Sequence, residues 1–367
     1  MIERTWPLPT LRHMRRLTDD CGIIQHARFW FPDYKTGYCV DDNSRALLVA
    51  SWYHQTFGTA EAHELMLRYL AFIHYVQRTD GQVCNFIDYS RRYLEQVGSP
   101  DSLGRTIWAL GHMASVEERY LAVPAREMFL HAVAQVSETF APHSLAYSLL
   151  GICAYGTCEA NRHEARALAR PLVTALLGHH HAARGADWEW FMPIVTYGNG
   201  RLPEALIRAG ALLEDRHARD AGFRTLAFLN QVSYCENCLS VVGCHGWYPQ
   251  DGVSAQFDQQ PIDAGGMVEA NLAAYELSHE TDYFTRAVHA MDWFYGRNIL
   301  GLSVYNKASC GCYDGLHSSG VNENQGAEST LVHLLAQLRM YRVAPELFAA
   351  EKMPETSWIA EGMGEHR

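Results

Sequence analysis

No stretch of this 367-residue chain approaches the roughly 18 consecutive apolar residues needed to span a bilayer. Basic residues are also short. Lys and Arg number 30 against 41 Asp and Glu, a formal net charge of −11. The nearest thing to a basic patch is Arg12, Arg15 and Arg16, which read as one solvated helix face. A surface of that sign attracts neither nucleic acid nor an anionic membrane. The opening "MIERTWPLPTLRHM" lacks the apolar h-region of a secretory signal. Ten cysteines without such a signal read as reduced thiols rather than a disulfide framework. Both observations give a cytoplasmic expectation. No Ser/Pro/Gly-rich tract divides the chain, so residues 1–367 are read as a single domain. Its last part, about 350–367 and ending "MPETSWIAEGMGEHR", is read as a loosely attached tail.

Several chemistries lack their signatures. "GNGRLPEA" has neither the lysine nor the preceding strand of a phosphate-binding loop. "GAEST" opens a helix with no strand before it, which excludes a nucleophile elbow. "CENC" at 235–238, followed by Cys244 and His245, is half of a zinc site. A second cysteine pair is missing unless Cys310 and Cys312 approach it, so these are taken as ordinary thiols. The triplet His179, His180 and His181 follows a helix C-terminus, where histidine complements the dipole. No metal and no cofactor is expected.

What the chain does have is helical periodicity. In "GYCVDDNSRALLVA", residues 37–50, and the residues that follow it, the positions Ala46, Leu47, Ala50, Tyr53 and Phe57 recur at three- and four-residue intervals. Helices are predicted at 43–57, 60–78, 101–115, 124–139, 143–157, 161–183, 202–214, 216–232, 263–278, 281–297 and 326–343, with one more near 8–20. Ser99 and Pro100 supply an N-cap and a proline at the first helical position, and Pro124 and Pro203 fit the same place. Helices starting near 42, 101, 143, 202, 263 and 326 each follow a long loop rich in glycine and aromatics. A second, more polar helix comes after a short turn. Six such hairpins close into an all-α (α/α)6 toroid; an open solenoid is the competing architecture.

In a closed toroid the long loops and the first turns of the inner helices share one face. That face collects Asp41 and Asp42, Asp101 with Arg105, His143, the segment "DWEWFMPIVTYGN", Asp258 and Asp263 with Glu269, and Glu323 and Glu328. Each acid alone reads as an N-cap, which favours carboxylates at helix starts. Capping "VDDN" takes only one aspartate, and the second, taken to be Asp42, is expected to face the cavity. The aromatics nearby include Trp30, Tyr38, Trp188, Trp190, Tyr197, Trp247 and Tyr248. A cavity lined by carboxylates and aromatic faces suits a sugar, and paired carboxylates suit glycoside hydrolysis.

Three segments, "GIIQHARFWFPDYKTGYCVDDNSRALLVA", "DWEWFMPIVTYGNGRLPEAL" and "CGCYDGLHSSGVNENQGAESTLVHLLA", resemble six-hairpin α/α-toroid proteins of the glycosidase-like superfamily. Members of that group occur alone or as partners of glycosyltransferases. Asp41, Asp42, Asn43 and Arg45 match its first motif; Asn322, Gln325, Gly326, Glu328 and Ser329 match its last. The resemblance implies a carbohydrate-active toroid. It also implies one acid after the Trp-Phe pair and another before the Asn, positions held here by Met192 and Gly198. Glu189 or Asp187 would then have to substitute.

The function expected is a metal-independent glycoside hydrolase acting on an oligosaccharide or glycan. Asp42, Asp101, Asp263 and Glu328 are the catalytic candidates. Asp41, Asn43, Arg45, Arg105, Trp188, Glu189, Trp190, Tyr197, Asn322 and Gln325 are the candidate substrate contacts. One acid protonates the leaving oxygen while another stays ionised, and inversion is the default because a wide cavity leaves room for a water. Two alternatives stay open. One is a sugar epimerase or isomerase using His143 or His245 as its base. The other is a non-catalytic glycan-binding or glycosyltransferase-associated module, to which Met192 points.

Overall fold

The computed structural model of the protein describes residues 5–235 and 238–349. The expected tail at 350–367 and the central two residues of "CENC" lie outside them. The described residues form α1 (Arg12–Leu17), α2 (Val40–Phe57), α3 (Ala60–Val76), α4 (Pro100–Met113), α5 (Arg119–Val133) and α6 (Pro142–Tyr155). They continue with α7 (Arg162–Ala183), α8 (Arg201–Leu213), α9 (Arg216–Ser233), α10 (Pro261–Ser278), α11 (Thr281–Trp293) and α12 (Ala327–Val343).

Burial sorts these helices into two rings. In α2 every residue from Asp42 to Tyr53 is buried, and α4, α6, α10 and α12 are enclosed in the same way. In α3 the buried positions are Ala62, Leu65, Met66, Tyr69, Leu70, Phe72, Ile73 and Val76, a one-sided stripe. A helix enclosed all round belongs inside, and a striped one covers it. The packing follows: α2, α4, α6, α8, α10 and α12 each touch the next, and α12 returns to α2. The ring is closed, and α3, α5, α7, α9 and α11 lie outside it against their own partners. The sixth outer place is taken by α1, packed on α12. Backbone bonds from Trp6 N to Leu347 O (2.9 Å) and from Ala349 N to Trp6 O (2.8 Å) tie the two ends of the described chain together.

Glycine sets how closely the inner helices meet. A Cβ on Gly111 of α4 would lie 2.1 Å from the Gly151 carbonyl of α6, and one on Gly200 would lie 2.3 Å from that of Gly266 in α10. Neither pair of backbones has room for a side chain.

Several helix starts differ from the sequence reading. Helix α2 begins at Val40, so neither Asp41 nor Asp42 caps it. Residues 38–39 pair with 86–87 as a two-stranded ribbon that runs directly into the helix, which puts the cap at Cys39. Its Sγ accepts from Asp42 N at 3.4 Å. Helix α5 starts at Arg119, leaving Pro124 in its interior; the buried stripe Leu121, Ala125, Met128 and Phe129 carries the helix back a turn. Among the described residues six two-stranded ribbons decorate the loops, each strand too short to show alternation. Among the described residues, no helix is long and apolar enough to cross a membrane.

Candidate functional site

The first turns of the inner helices converge as the closed ring requires. Arg45, buried on α2, bonds Asp42 Oδ1 at 2.8 Å and reaches across the ring closure to Glu328 Oε2 of α12 at 2.7 Å. Asp42 also accepts the Cys39 thiol through Oδ2 at 3.0 Å. Arg105 of α4 bridges Asp101 Oδ2 (3.1 Å) and Asp41 Oδ2 (3.4 Å), and its guanidinium lies 4.6 Å over the Tyr147 ring. Asp101 additionally accepts from Ser144 Oγ and from the Tyr197 hydroxyl, both at 2.9 Å. On α10, Asp263 Oδ1 accepts from the backbone N and from Nδ2 of Asn199 at 3.1 and 2.9 Å. Three buried polar atoms here have no partner among the described residues: Asp41 Oδ1, Arg105 Nε and Asp263 Oδ2.

The acids are held in different states. Burial pushes the Asp263 carboxyl up to about 7, against bonds from Asn199 that pull it down, with Glu328 adding repulsion. Burial lifts Asp42 to about 6 despite Arg45, and Asp41 rises for the same reason. For Asp101, burial is outweighed by Arg105, His143 and the Tyr197 and Ser144 hydroxyls, so its carboxyl sits below its ordinary range. Glu328 is felt by Asp41, Asp42 and Asp263 alike, and its side chain is 46% exposed. It is more exposed than Asp41, Asp42 or Asp101.

Not every predicted contact joins this group. Asn43 is fully buried; its Oδ1 accepts from Ile23 N at 3.0 Å and its Nδ2 donates to Cys39 O at 2.9 Å, pinning the preceding loop to α2. The Gln325 side chain accepts from the Ser309 hydroxyl, while its carbonyl accepts from His13 Nε2 at 2.9 Å. Both side chains are committed to loops rather than open to a sugar. Asn322 Oδ1 accepts from Asn324 N at 3.2 Å within the loop before α12. Trp188 and Trp190 are buried against Phe228 of the outer helix α9, so they fill the core instead of offering a face. Glu189 pairs with His180 of α7 at 2.8 Å, and Asp187 is exposed. Neither substitutes within the cluster for the acids absent at Met192 and Gly198. Asn43→Ala, stripping three buried bonds, should cost on the order of 2–3 kcal/mol. That would be read as a lower urea midpoint at unchanged slope.

The sequence reading missed two members. Asp314, lifted by burial, accepts from Gly326 N (2.8 Å) and from the Ser329 hydroxyl beside Glu328. Asn199 orients Asp263. The only available signal was that each lies inside a quoted motif. Burial lowers the pKa of His143; its Nε2–H donates to Tyr197 O at 2.6 Å, and its ring stacks on Tyr197 at 4.7 Å. A separate dyad, His317 Nδ1 to Asp258 Oδ1 at 2.7 Å, is partly exposed. His245 is exposed. Exposed Phe29, Trp30 and Phe31 crown a turn tied to the loop before Glu328 by bonds from Phe29 N to Asn324 Oδ1 and from Gln325 N to Phe29 O. Cys235 and Cys238 oppose each other across a hairpin. Among the described residues no three His, Cys, Asp or Glu side chains gather as a metal site.

The sequence matches no protein-family model and no curated relative. Solved structures do match in shape. A sugar epimerase from a ruminal bacterium superposes with a TM-score of 0.70 at 11% identity, over 91% of this chain and 95% of that one. Cellobiose 2-epimerase from Bacillus thermoamylovorans gives 0.70 at 10%, over 90% and 96%. A GH76 alpha-mannanase from Bacteroides thetaiotaomicron gives 0.60 at 11%, over 84% and 88%. At such identity the likeness is one of fold, and the fold of this chain is a closed (α/α)6 toroid.

Proposed function

We propose that the chain is a carbohydrate-active enzyme, a glycoside hydrolase whose acid is Asp263 and whose base is Glu328. The observation behind this is one pair of carboxylates in opposite circumstances. Asp263 is buried, keeps its proton to about pH 7 and has Oδ2 without a partner among the described residues. Glu328 is half exposed and ion-paired with Arg45. Environments that drive two carboxyls apart divide the roles of acid and base. In this reading Asp263 gives its proton to the glycosidic oxygen. Glu328 takes a proton from the water that attacks the anomeric carbon, and solvent exchange restores both. Asp41 Oδ1 and Arg105 Nε remain for sugar hydroxyls, and Phe29, Trp30 and Phe31 offer faces for stacking. Asp42 and Asp101 hold Arg45 and Arg105 in place.

A second reading, aldose epimerisation or isomerisation, is favoured by the His317–Asp258 dyad. The aspartate fixes the Nδ1–H tautomer and leaves Nε2 as a base. The epimerase neighbours share this fold. One experiment separates the two. Gluco- and manno-oligosaccharides and free aldoses are incubated in D2O, and new reducing ends and deuterium at C2 are followed. New reducing ends, lost in Glu328→Gln, are the expected result. Deuterium uptake without new ends, lost in His317→Gln, selects the second reading. Binding with neither product leaves a glycan-binding module and overturns both.

A further inference from the structure

The opposite end of the ring, where the inner helices finish, holds a cavity of about 610 Å³. Trp52, His112, Arg208, Arg339 and Arg342 line it from the inner helices, and Arg162 and Arg166 from α7. In a chain carrying eleven excess negative charges, five guanidiniums face this space against three carboxylates, Glu204, Glu214 and Glu269.

Some of that charge has an ordinary explanation. Cations complement the negative ends of helices, and Arg208 is paired with Glu204 at 2.8 Å and Arg339 with Glu276 at 2.8 Å. Arg162 is likewise paired with Glu159 at 2.6 Å, and Arg166 with Glu214. Two features lie beyond it. Arg342 bonds only neutral acceptors among the described residues: Gln55 Oε1 at 2.8 Å, Trp52 O at 3.2 Å and Thr56 Oγ1 at 3.4 Å. Finally, Trp52 Nε1, Arg166 Nε and Arg339 Nε are buried N–H donors without an acceptor among the described residues. Trp52 is 7% exposed, with the guanidiniums of Arg339 and Arg342 at 5.9 and 5.5 Å from its ring. Buried donors left unsatisfied are costly. Here they share a cavity with a cation that has no carboxylate of its own, so the missing complement is an acceptor carrying negative charge.

We propose that this rear cavity binds a small multivalent oxyanion, the phosphate group of a phosphorylated small molecule. Arg339, Arg342 and Trp52 Nε1 supply the donors. Guanidinium forks match tetrahedral oxyanions through paired N–H bonds. His112, neutral because burial and the two arginines lower its pKa to about 3, adds no charge of its own. The site lies at the far end of the ring from Asp263 and Glu328, and it does not depend on the reaction proposed for them.

The test is calorimetric titration and thermal denaturation of the full chain with inorganic pyrophosphate, inorganic phosphate and, as a neutral control, glucose. Pyrophosphate is expected to bind saturably, to raise the melting temperature with concentration, and to bind more tightly than phosphate. Arg342→Gln, which keeps a hydrogen-bonding head, should weaken binding by about tenfold or more. Trp52→Phe, which removes only the Nε1 donor and some ring volume, should weaken it by several-fold, and Glu328→Gln should leave it unchanged. Absence of saturable pyrophosphate binding to the wild-type chain, or equal affinity in Arg342→Gln and Trp52→Phe, would overturn the proposal. Loss in Glu328→Gln would place the anion at the other end of the ring and equally overturn it.

Discussion

Asp263→Asn is expected to be more stable than the wild-type protein at pH 8 and to have lost its turnover. The stability half follows from linkage. In the unfolded chain Asp263 releases its proton near 3.8, and in the folded protein near 7. Between those values the folded state binds the extra proton, so the contribution is fully present below the unfolded value and lost as pH rises through about 7. A displacement of that size corresponds to on the order of 4 kcal/mol at alkaline pH. Asparagine reproduces the protonated acid: its Oδ1 can accept from Asn199 and it carries no charge to bury. The melting-temperature gain of the variant over wild type should therefore be near zero at pH 4 and grow towards pH 8. Only this difference isolates the residue. Buried His13 and His112, held down at about 4 and about 3, lose stability as pH falls below 6.5 and tilt the wild-type profile the other way. The turnover half follows from the lost proton, a factor of about 10²–10⁴ for a general acid. A variant less stable than wild type at pH 8, or one that retains full turnover, would remove Asp263 from the role given to it.

Arg201→Met is expected to be the most destabilising single change in the ring. Arg201 is buried at the start of α8 between Glu204 at 2.8 Å and Glu269 at 2.6 Å, with every partner under 5% exposed, and its guanidinium lies 4.6 Å over Trp108. Glu204 keeps Arg208 if Arg201 is removed, and its carboxyl is held low by Arg208 and Arg201 against a burial that raises it. Glu269 keeps no ion pair among the described residues. Breaking a buried pair from one side costs about 3–5 kcal/mol because a charge is left uncompensated. The double variant Arg201→Met with Glu269→Gln should regain much of the loss in a urea denaturation series. If the single variant melted like wild type, or if the second change gave no recovery, the orphaned glutamate would not be the cause.

The sequence showed the ring more plainly than the site. Helical periodicity and the alternation of long and short connections survive in any reading of residues 40–343, because enclosed and striped helices differ in composition over a dozen positions. Asp41, Asp42, Asp101, Asp263 and Glu328 could be gathered on one face for the same reason, since each opens an inner helix. What stayed hidden depends on side-chain direction. Asn43 shares a first turn with Asp42 but points back at Ile23. Trp188 and Trp190 look like sugar platforms in a motif and are core against α9. Cys39 caps α2 because an extended ribbon runs up to it, and Asp314 lies in a loop without a period. Partners 12 to 47 residues away decide these cases, and no helical or strand period encodes them.

The closed ring also orders its own assembly. Four of the contacts between neighbouring inner helices join residues of modest separation: Asp41 with Arg105, Asp101 with Ser144, Asn199 with Asp263 and Arg201 with Glu269 are 64, 43, 64 and 68 residues apart. Arg45 and Glu328 are 283 apart. Contacts of long sequence separation form late because the chain between them must already be ordered. Successive hairpins can therefore collapse on one another in an open arc, and the seam between α2 and α12 closes last. The ion pair that positions the proposed base lies on that seam, so an arc with every hairpin folded would still be chemically silent.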